Sequence, residues 1–159
     1  MSNKKTAFIT GAAMGMGALM ARTLADRGWE VYAGVVPGAD TSELVPYDGV
    51  TAIEQDVTNT ESVNQSAAQV DKLLNGRGLD LLVNNAGIAN IGIGVIEGCD
   101  IERGKFLFEV NMWGQVRVCQ AFLPFIRRGE PGRVINYASG AVKANPPASG
   151  LYNMSKHAV

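Results

Sequence analysis

The sequence predicts an α/β fold, a doubly wound parallel sheet with helices on both faces. Three observations predict it. Short apolar runs alternate with amphipathic stretches along all 159 residues, a pattern that implies parallel strands joined by helical crossovers. The connections are short and free of repeats or linkers, so residues 1–159 read as a single domain. The residues that carry recognisable chemistry fall after the first, third, fourth and fifth apolar runs. Those are the strands' carboxyl ends, where a doubly wound sheet binds its ligands.

The elements follow in order. Residues 6–10 form a short buried strand. The turn Gly11-Ala12-Ala13-Met14-Gly15-Met16-Gly17 then leads into a helix reaching Arg27, with Met16, Leu19, Met20 and Leu24 on one apolar face and Gly28 at its C-terminus. Residues 31–36 are the second strand, closed by the turn Pro37-Gly38-Ala39-Asp40. Residues 51–56 are the third; Thr58 caps the next helix and Glu61 completes a capping box. Residues 79–83 are the fourth strand and run into Asn84-Asn85-Ala86-Gly87. A long helix covers 104–128, where Phe106, Val110, Trp113, Val116, Val118 and Phe122 recur mostly at helical intervals. Residues 132–137 are the fifth strand, and a final helix begins near Tyr152.

Composition narrows the function. Hydrophobic residues make up 47% and charged residues 18%, with a formal charge of −1. The chain is long enough to bury a core, and it lacks the basic excess that a nucleic-acid surface requires. Cys99 and Cys119 stand outside any metal or redox spacing and read as buried free thiols in a reducing compartment. His157 is the only histidine, has no second ligand or nucleophile partner, and reads as structural; no metal is expected. No apolar run approaches the ~18 residues of a membrane span, and residues 1–5 show no signal-peptide core. A cytoplasmic location is the expectation.

Two motifs carry chemistry. Gly11-x-x-x-Gly15-x-Gly17 joins a strand to a helix. There glycines permit a sharp turn and let a pyrophosphate approach the helix N-terminus, whose free N–H groups and dipole favour an anion. Tyr152 and Lys156 stand one helical turn apart on one face. The ammonium can pull a phenol's pKa from its usual ~10 toward working pH, which makes a tyrosine a general acid or base.

Together with Asn84-Asn85-Ala86-Gly87 and with Ser139, 13 residues before Tyr152, these motifs resemble the short-chain dehydrogenase/reductase family over essentially the whole chain. The resemblance implies a Rossmann fold, an NAD or NADP cofactor, and interconversion of a secondary alcohol and a carbonyl. Tyr152 would be the general acid or base, and Lys156 would lower its pKa and bond the nicotinamide ribose. Ser139 would polarise the substrate oxygen, and Asn111 would support a water-linked proton relay. Gly11, Met14, Gly15, Met16 and Gly17 would hold the nucleotide. Asp56 and Val57 would meet its adenine, while Asn84, Ala86 and Gly87 would line the adenosine side.

The sequence departs from the family pattern in two places. The end of the second strand, Val35-Val36-Pro37, has neither the acidic residue that selects NAD nor an arginine for the NADP phosphate, so both cofactors stay open. The family pattern also continues past Val159 with further strands. The chain therefore reads as a C-terminally incomplete domain, with the fifth strand as an open edge and a dimer or tetramer expected only for the full-length protein. The resemblance implies a small alcohol or ketone as substrate, and the apolar stretches 91–96 and 144–147 hint at a hydrophobic one. The alternative is a nucleotide-binding fragment without turnover, inactive or dependent on a partner.

Overall fold

The computed structural model of the chain describes residues 4–129 and 131–159. Its strands are β1 (Thr6–Ile9), β2 (Glu30–Val35), β3 (Val50–Glu54), β4 (Leu81–Asn84) and β5 (Arg133–Asn136). They form one parallel sheet in the order β3-β2-β1-β4-β5. This is the predicted doubly wound arrangement, and its strand order reverses at β1.

Successive side chains of a strand face opposite sides of the sheet. Phe8, Tyr32, Ile53 and Leu82 point to one side, where they meet Val63, Val70 and Leu74 of α2 (Thr60–Leu74) and Val118 and Phe122 of α4 (Gly114–Ile126). Phe8 and Phe122 pack with ring centroids 4.3 Å apart. Ile9, Val31, Ala33 and Val83 point to the other side, against Ala18 and Ala21 of α1 (Gly15–Asp26) and Leu44. Because both faces are covered, the central strands read as near-continuous apolar runs.

Several local expectations need correction. The buried stripe of α1 consists of Gly17, Ala18 and Ala21, while Met16 and Leu19 are exposed. Met20 and Leu24 do pack against the core as expected; small residues let α1 sit close to the sheet, and Met16 and Leu19 fall outside the buried stripe. The α1 C-terminus does end at Gly28, whose N–H donates to Ala25 O while Trp29 N donates to Leu24 O, the Schellman pattern. The cap of α2 is Asn59, whose side chain accepts from Ser62 N, rather than Thr58. Thr58 instead bonds to Asp56.

The long helix is not uniform. α3 (Ile101–Phe108) starts on an Asp100 cap and joins α4 through a π turn, Glu109–Trp113. A π turn shifts the faces that a 3.6-residue period assigns. Phe106, Trp113 and Val116 are accordingly exposed, whereas Val110, Val118 and Phe122 are buried. The last helix, α6 (Gly150–His157), follows a short α5 (Ala141–Ala144). Both cysteines are free but half-buried rather than buried. Among the described residues no helix is long and apolar enough to cross a membrane.

Candidate active site

The crevice opens at the carboxyl ends of β1 and β4, on either side of the reversal in strand order. The residues after β1 are packed tightly against those after β4. Gly11 has φ +63°, and a Cβ there would come within 2.8 Å of Ala86 Cα. A Cβ on Gly17 would lie 2.2 Å from the Gly11 carbonyl oxygen and 2.7 Å from Asn85 Nδ2. Hydrogen bonds then lock the two loops. Asn85 Nδ2 donates to Thr10 O at 3.0 Å and Gly11 O at 3.1 Å. Thr10 Oγ1, on a residue 1% exposed, accepts the backbone N–H of Asn85 at 3.0 Å and of Ala86 at 2.9 Å.

The start of α1 carries no acidic residue of its own. Its N-cap, Met14, makes no side-chain cap bond, and its first turn holds no acidic residue. A Cβ on Gly15 would meet open space, and Met14 and Met16 are exposed at 73% and 62%. Orphan N–H groups and the helix dipole are thus presented at the mouth of the crevice.

Beside β3, Asp56 uses Oδ1 to accept from Thr58 N at 2.9 Å and Thr58 Oγ1 at 2.7 Å. Its own N–H donates to Ser62 Oγ at 2.9 Å, which pins the loop to the start of α2. The second carboxylate oxygen makes no hydrogen bond among the described residues. The Val57 side chain is buried against α4, where a Cβ on Gly114 would touch it at 2.9 Å. Val57 O accepts from Arg117 Nη1 at 3.3 Å, and Arg117 also pairs with Glu109 of the π turn. Val57 therefore shapes its loop through packing. Asn84 also turns from the crevice, donating through Nδ2 to Asn136 Oδ1 at 2.8 Å and Cys119 Sγ at 3.2 Å. It ties β4 to β5 and α4.

Asn111 and Lys156 converge. Asn111 is fully buried on the π turn; its Oδ1 accepts from Ile88 N at 2.8 Å and its Nδ2 donates to Ile88 O at 2.9 Å. Lys156 is 6% exposed and donates to Tyr137 O at 3.0 Å. Its other two N–H groups find no acceptor among the described residues. A Cβ on Gly87 would lie 3.1 Å from Lys156 Nζ and 3.2 Å from Asn111 Oδ1, so both side chains meet at Gly87. Burial pushes the Lys156 ammonium below its ordinary lysine pKa, since a low-dielectric site disfavours the charged form.

Tyr152 is half-buried one turn before Lys156; its N–H donates to Gly92 O at 3.3 Å, and its hydroxyl makes no hydrogen bond among the described residues. Ser139 lies just past β5 and accepts the Ala141 N–H on Oγ at 3.1 Å, which leaves its hydroxyl proton to donate elsewhere. No direct hydrogen bond joins Ser139, Tyr152 and Lys156 to one another among the described residues. His157 is exposed, and its ring bonds within α6, at Asn153 O. Among the described residues no group of three His, Cys, Asp or Glu could hold a metal ion.

Sequence reasoning assigns no role to three contributors: Thr10, Asn85 and the Tyr137 carbonyl. The signal for Thr10 is a polar residue at the buried end of an apolar run, and Asn85 stands inside the Asn84-Asn85-Ala86-Gly87 motif. The residues present fit a phosphorylated dinucleotide. The backbone cradle at 11–17 has no room for side chains at Gly11 and Gly17, the α1 N-terminus lacks an acceptor, and a buried ammonium holds two unused donors.

Comparison with known proteins points the same way. The short chain dehydrogenase family model matches residues 5–159. The mitochondrial D-beta-hydroxybutyrate dehydrogenase of Rattus norvegicus is 33% identical over 163 residues, covering 98% of this chain and 47% of its own length. A short chain dehydrogenase/reductase from Burkholderia phymatum, solved in complex with NAD, superposes with a TM-score of 0.87 at 29% identity, covering 98% of this chain and 56% of that one. The NADPH-bound carbonyl reductase from chicken fatty liver gives 0.88 at 25% identity, covering 99% and 70%. The chain spans about half the length of the curated relatives it matches.

Proposed function

The chain belongs to the short-chain dehydrogenase family, and from that premise we propose that it serves NAD(P)-dependent interconversion of a secondary alcohol and a carbonyl, with Tyr152 as general acid or base. One observation carries the reading. A buried Lys156 ammonium, held by a single carbonyl and meeting Asn111 at Gly87, stands one turn from a tyrosine hydroxyl without a partner.

The nicotinamide cofactor supplies the hydride; the chain's own residues handle the oxygen. In reduction, negative charge develops on the substrate oxygen. Tyr152 gives that oxygen its proton, and the Ser139 hydroxyl donates a hydrogen bond to it, so both stabilise the charge as it forms. Lys156 holds the resulting phenolate electrostatically and offers its two spare N–H groups to the cofactor ribose. Asn111 is a fixed support for the water-linked relay rather than a proton carrier, because its amide does not titrate and is occupied by Ile88 and Ser155. Oxidation runs the same steps backwards.

The pyrophosphate would rest on the turn Gly11, Met14, Gly15, Met16 and Gly17. The adenosine would lie toward Asp56, Val57, Ala86 and Gly87, while Asn84 braces the sheet beneath it. Val36, exposed at the end of β2, offers no charge to either cofactor, and Asp40 is engaged by Ser42 N at 2.9 Å; the proposal covers NAD and NADP alike. Ile93, Val95 and Ile96 are exposed on a loop bound to the approach to α6, through Gly94 N to Ala148 O at 2.7 Å. That apolar wall beside Tyr152 favours a hydrophobic alcohol or ketone.

The test follows nicotinamide absorbance with a panel of ketones and secondary alcohols. Tyr152→Phe is expected to lower turnover ~10²–10⁴-fold while the cofactor still binds. Turnover that survives the substitution overturns the role of Tyr152. Cofactor binding without turnover in the unsubstituted protein supports the other reading, a nucleotide-binding module.

A further inference from the structure

α6 carries both Tyr152 and Lys156, yet it has eight residues, and its N-cap, Ser149, makes no side-chain cap bond. So short a helix is marginal alone. Its rotation needs fixing from outside, because a small roll about its axis moves the tyrosine hydroxyl and the ammonium together. The contact of Leu151 with α3 at Gly104 is apolar and sets no angle. The Lys156 bond to Tyr137 O runs through a long side chain that must stay free to serve the reaction. The bonds of Tyr152 N to Gly92 O and of Asn153 Nδ2 to Pro146 O, both 3.3 Å, are long and hold only the first turn.

Ser155 is placed differently. It is fully buried. Its Oγ donates to Tyr152 O at 2.8 Å and accepts from Asn111 Nδ2 at 3.0 Å. Asn111 uses its other N–H and its Oδ1 on the two backbone groups of Ile88. Only one orientation of that amide satisfies all three partners; flipped, its NH₂ would face the Ile88 N–H, donor against donor. A continuous run of directed bonds therefore reaches from the Tyr152 backbone through Ser155 and Asn111 to the loop after β4. Alanine would keep the Cβ but remove the hydroxyl, leaving one buried Asn111 N–H without an acceptor.

We propose that Ser155 is a positioning residue, whose hydroxyl joins the Asn111 amide to the backbone of Tyr152 and so holds α6, the π turn and the loop after β4 in one register. The inference rests on the proposed roles of Tyr152 and Lys156, and its test has an arm that does not need them.

That arm is amide hydrogen exchange in the purified protein. Ser155→Ala is expected to speed exchange at the Ile88 N–H by ~10-fold or more and to leave Phe8 and Tyr32, at the sheet centre, unchanged. Ser155→Thr, which keeps the hydroxyl, is expected to restore Ile88. An unmoved Ile88, or sheet amides that accelerate equally, overturns the proposal. The kinetic arm uses the ketone that the unsubstituted protein reduces. There Ser155→Ala is expected to lower kcat ~10-fold or more with cofactor KM within about twofold, and the double variant with Asn111→Ala is expected to lose less than the product of the two single losses. Losses that multiply in full overturn the proposal. Absence of turnover in the unsubstituted protein would remove the proposed function instead, and hydrogen exchange would still decide whether Ser155 holds the link.

Discussion

On the β1 side of the crevice, binding groups are mostly backbone, held by neighbours that are themselves buried. Thr10, Asn85, Gly11 and Gly17 interlock at contact distance, and β1 has a strand on each side and four buried residues. On the β5 side, the groups proposed for proton chemistry are side chains on short elements. β5 pairs only with β4 among the described residues, and its Ile135 is 45% exposed. Ser139 follows that edge strand, and Tyr152 and Lys156 ride on an eight-residue helix. The proposed nucleotide cradle and the fold are thus one structure, whereas the groups proposed for proton chemistry are attached to it by a few directed bonds. Substitutions on the first side should damage binding and stability together, and those on the second should separate them.

Gly17→Ala should give the largest effect. Its Cβ would meet backbone and an anchored amide that have no room to move, so a loss of about 3 kcal/mol or more is expected, roughly 6–12 °C in Tm, together with loss of cofactor binding. Thermal unfolding and a cofactor titration on the same sample check this. A variant that binds cofactor and melts within about 2 °C of the parent would show that the cradle is not part of the fold.

A matched pair sharpens the contrast. Thr10→Val keeps the shape but leaves the Asn85 and Ala86 N–H groups without their acceptor, so about 2–4 kcal/mol should be lost. Asn136→Ala removes the tie from exposed β5 to Asn84, which keeps its Cys119 contact, and should cost about 1 kcal/mol or less. Chemical denaturation measures both. Equal costs would erase the asymmetry between the two sides.

The same asymmetry explains what could be read in the sequence. β1, β2 and β4 are legible because burial on both faces leaves unbroken apolar runs, and the glycine turn is legible because its spacing is the geometry. The faces of the helices were harder to read. The fully buried residues of α1 are Gly17, Ala18 and Ala21, which carry little apolar signal, and a π turn interrupts the long helix between Phe106 and Val116. Thr58 lost the α2 cap to Asn59 because Asp56 engages its hydroxyl. In the site, the residue types of the proposed catalytic set stand at recognisable spacings. The partners of Thr10 and Asn85 and the Asn111 partner of Ser155 lie between 44 and 76 residues away, and no local pattern encodes such a meeting.

The smallest expected effect concerns the charge on the β5 side. Burial lowers the Lys156 pKa in the folded chain relative to its unfolded value of 10.5. Between the lowered value and 10.5 the unfolded chain binds more protons, so folding stability gains from rising pH across that window and is diminished below it. Lys156→Met removes the titrating group, and its loss of the bond to Tyr137 O does not depend on pH. The stability of the unsubstituted protein relative to Lys156→Met should therefore climb as the pH rises toward ~10, a small upward drift in the Tm difference. Paired melts of the two proteins across that range would show it. A difference that stays flat would mean the ammonium is as well solvated folded as unfolded. Lys156 would then carry no burial penalty, and the two sides of the crevice would differ less than their geometry implies.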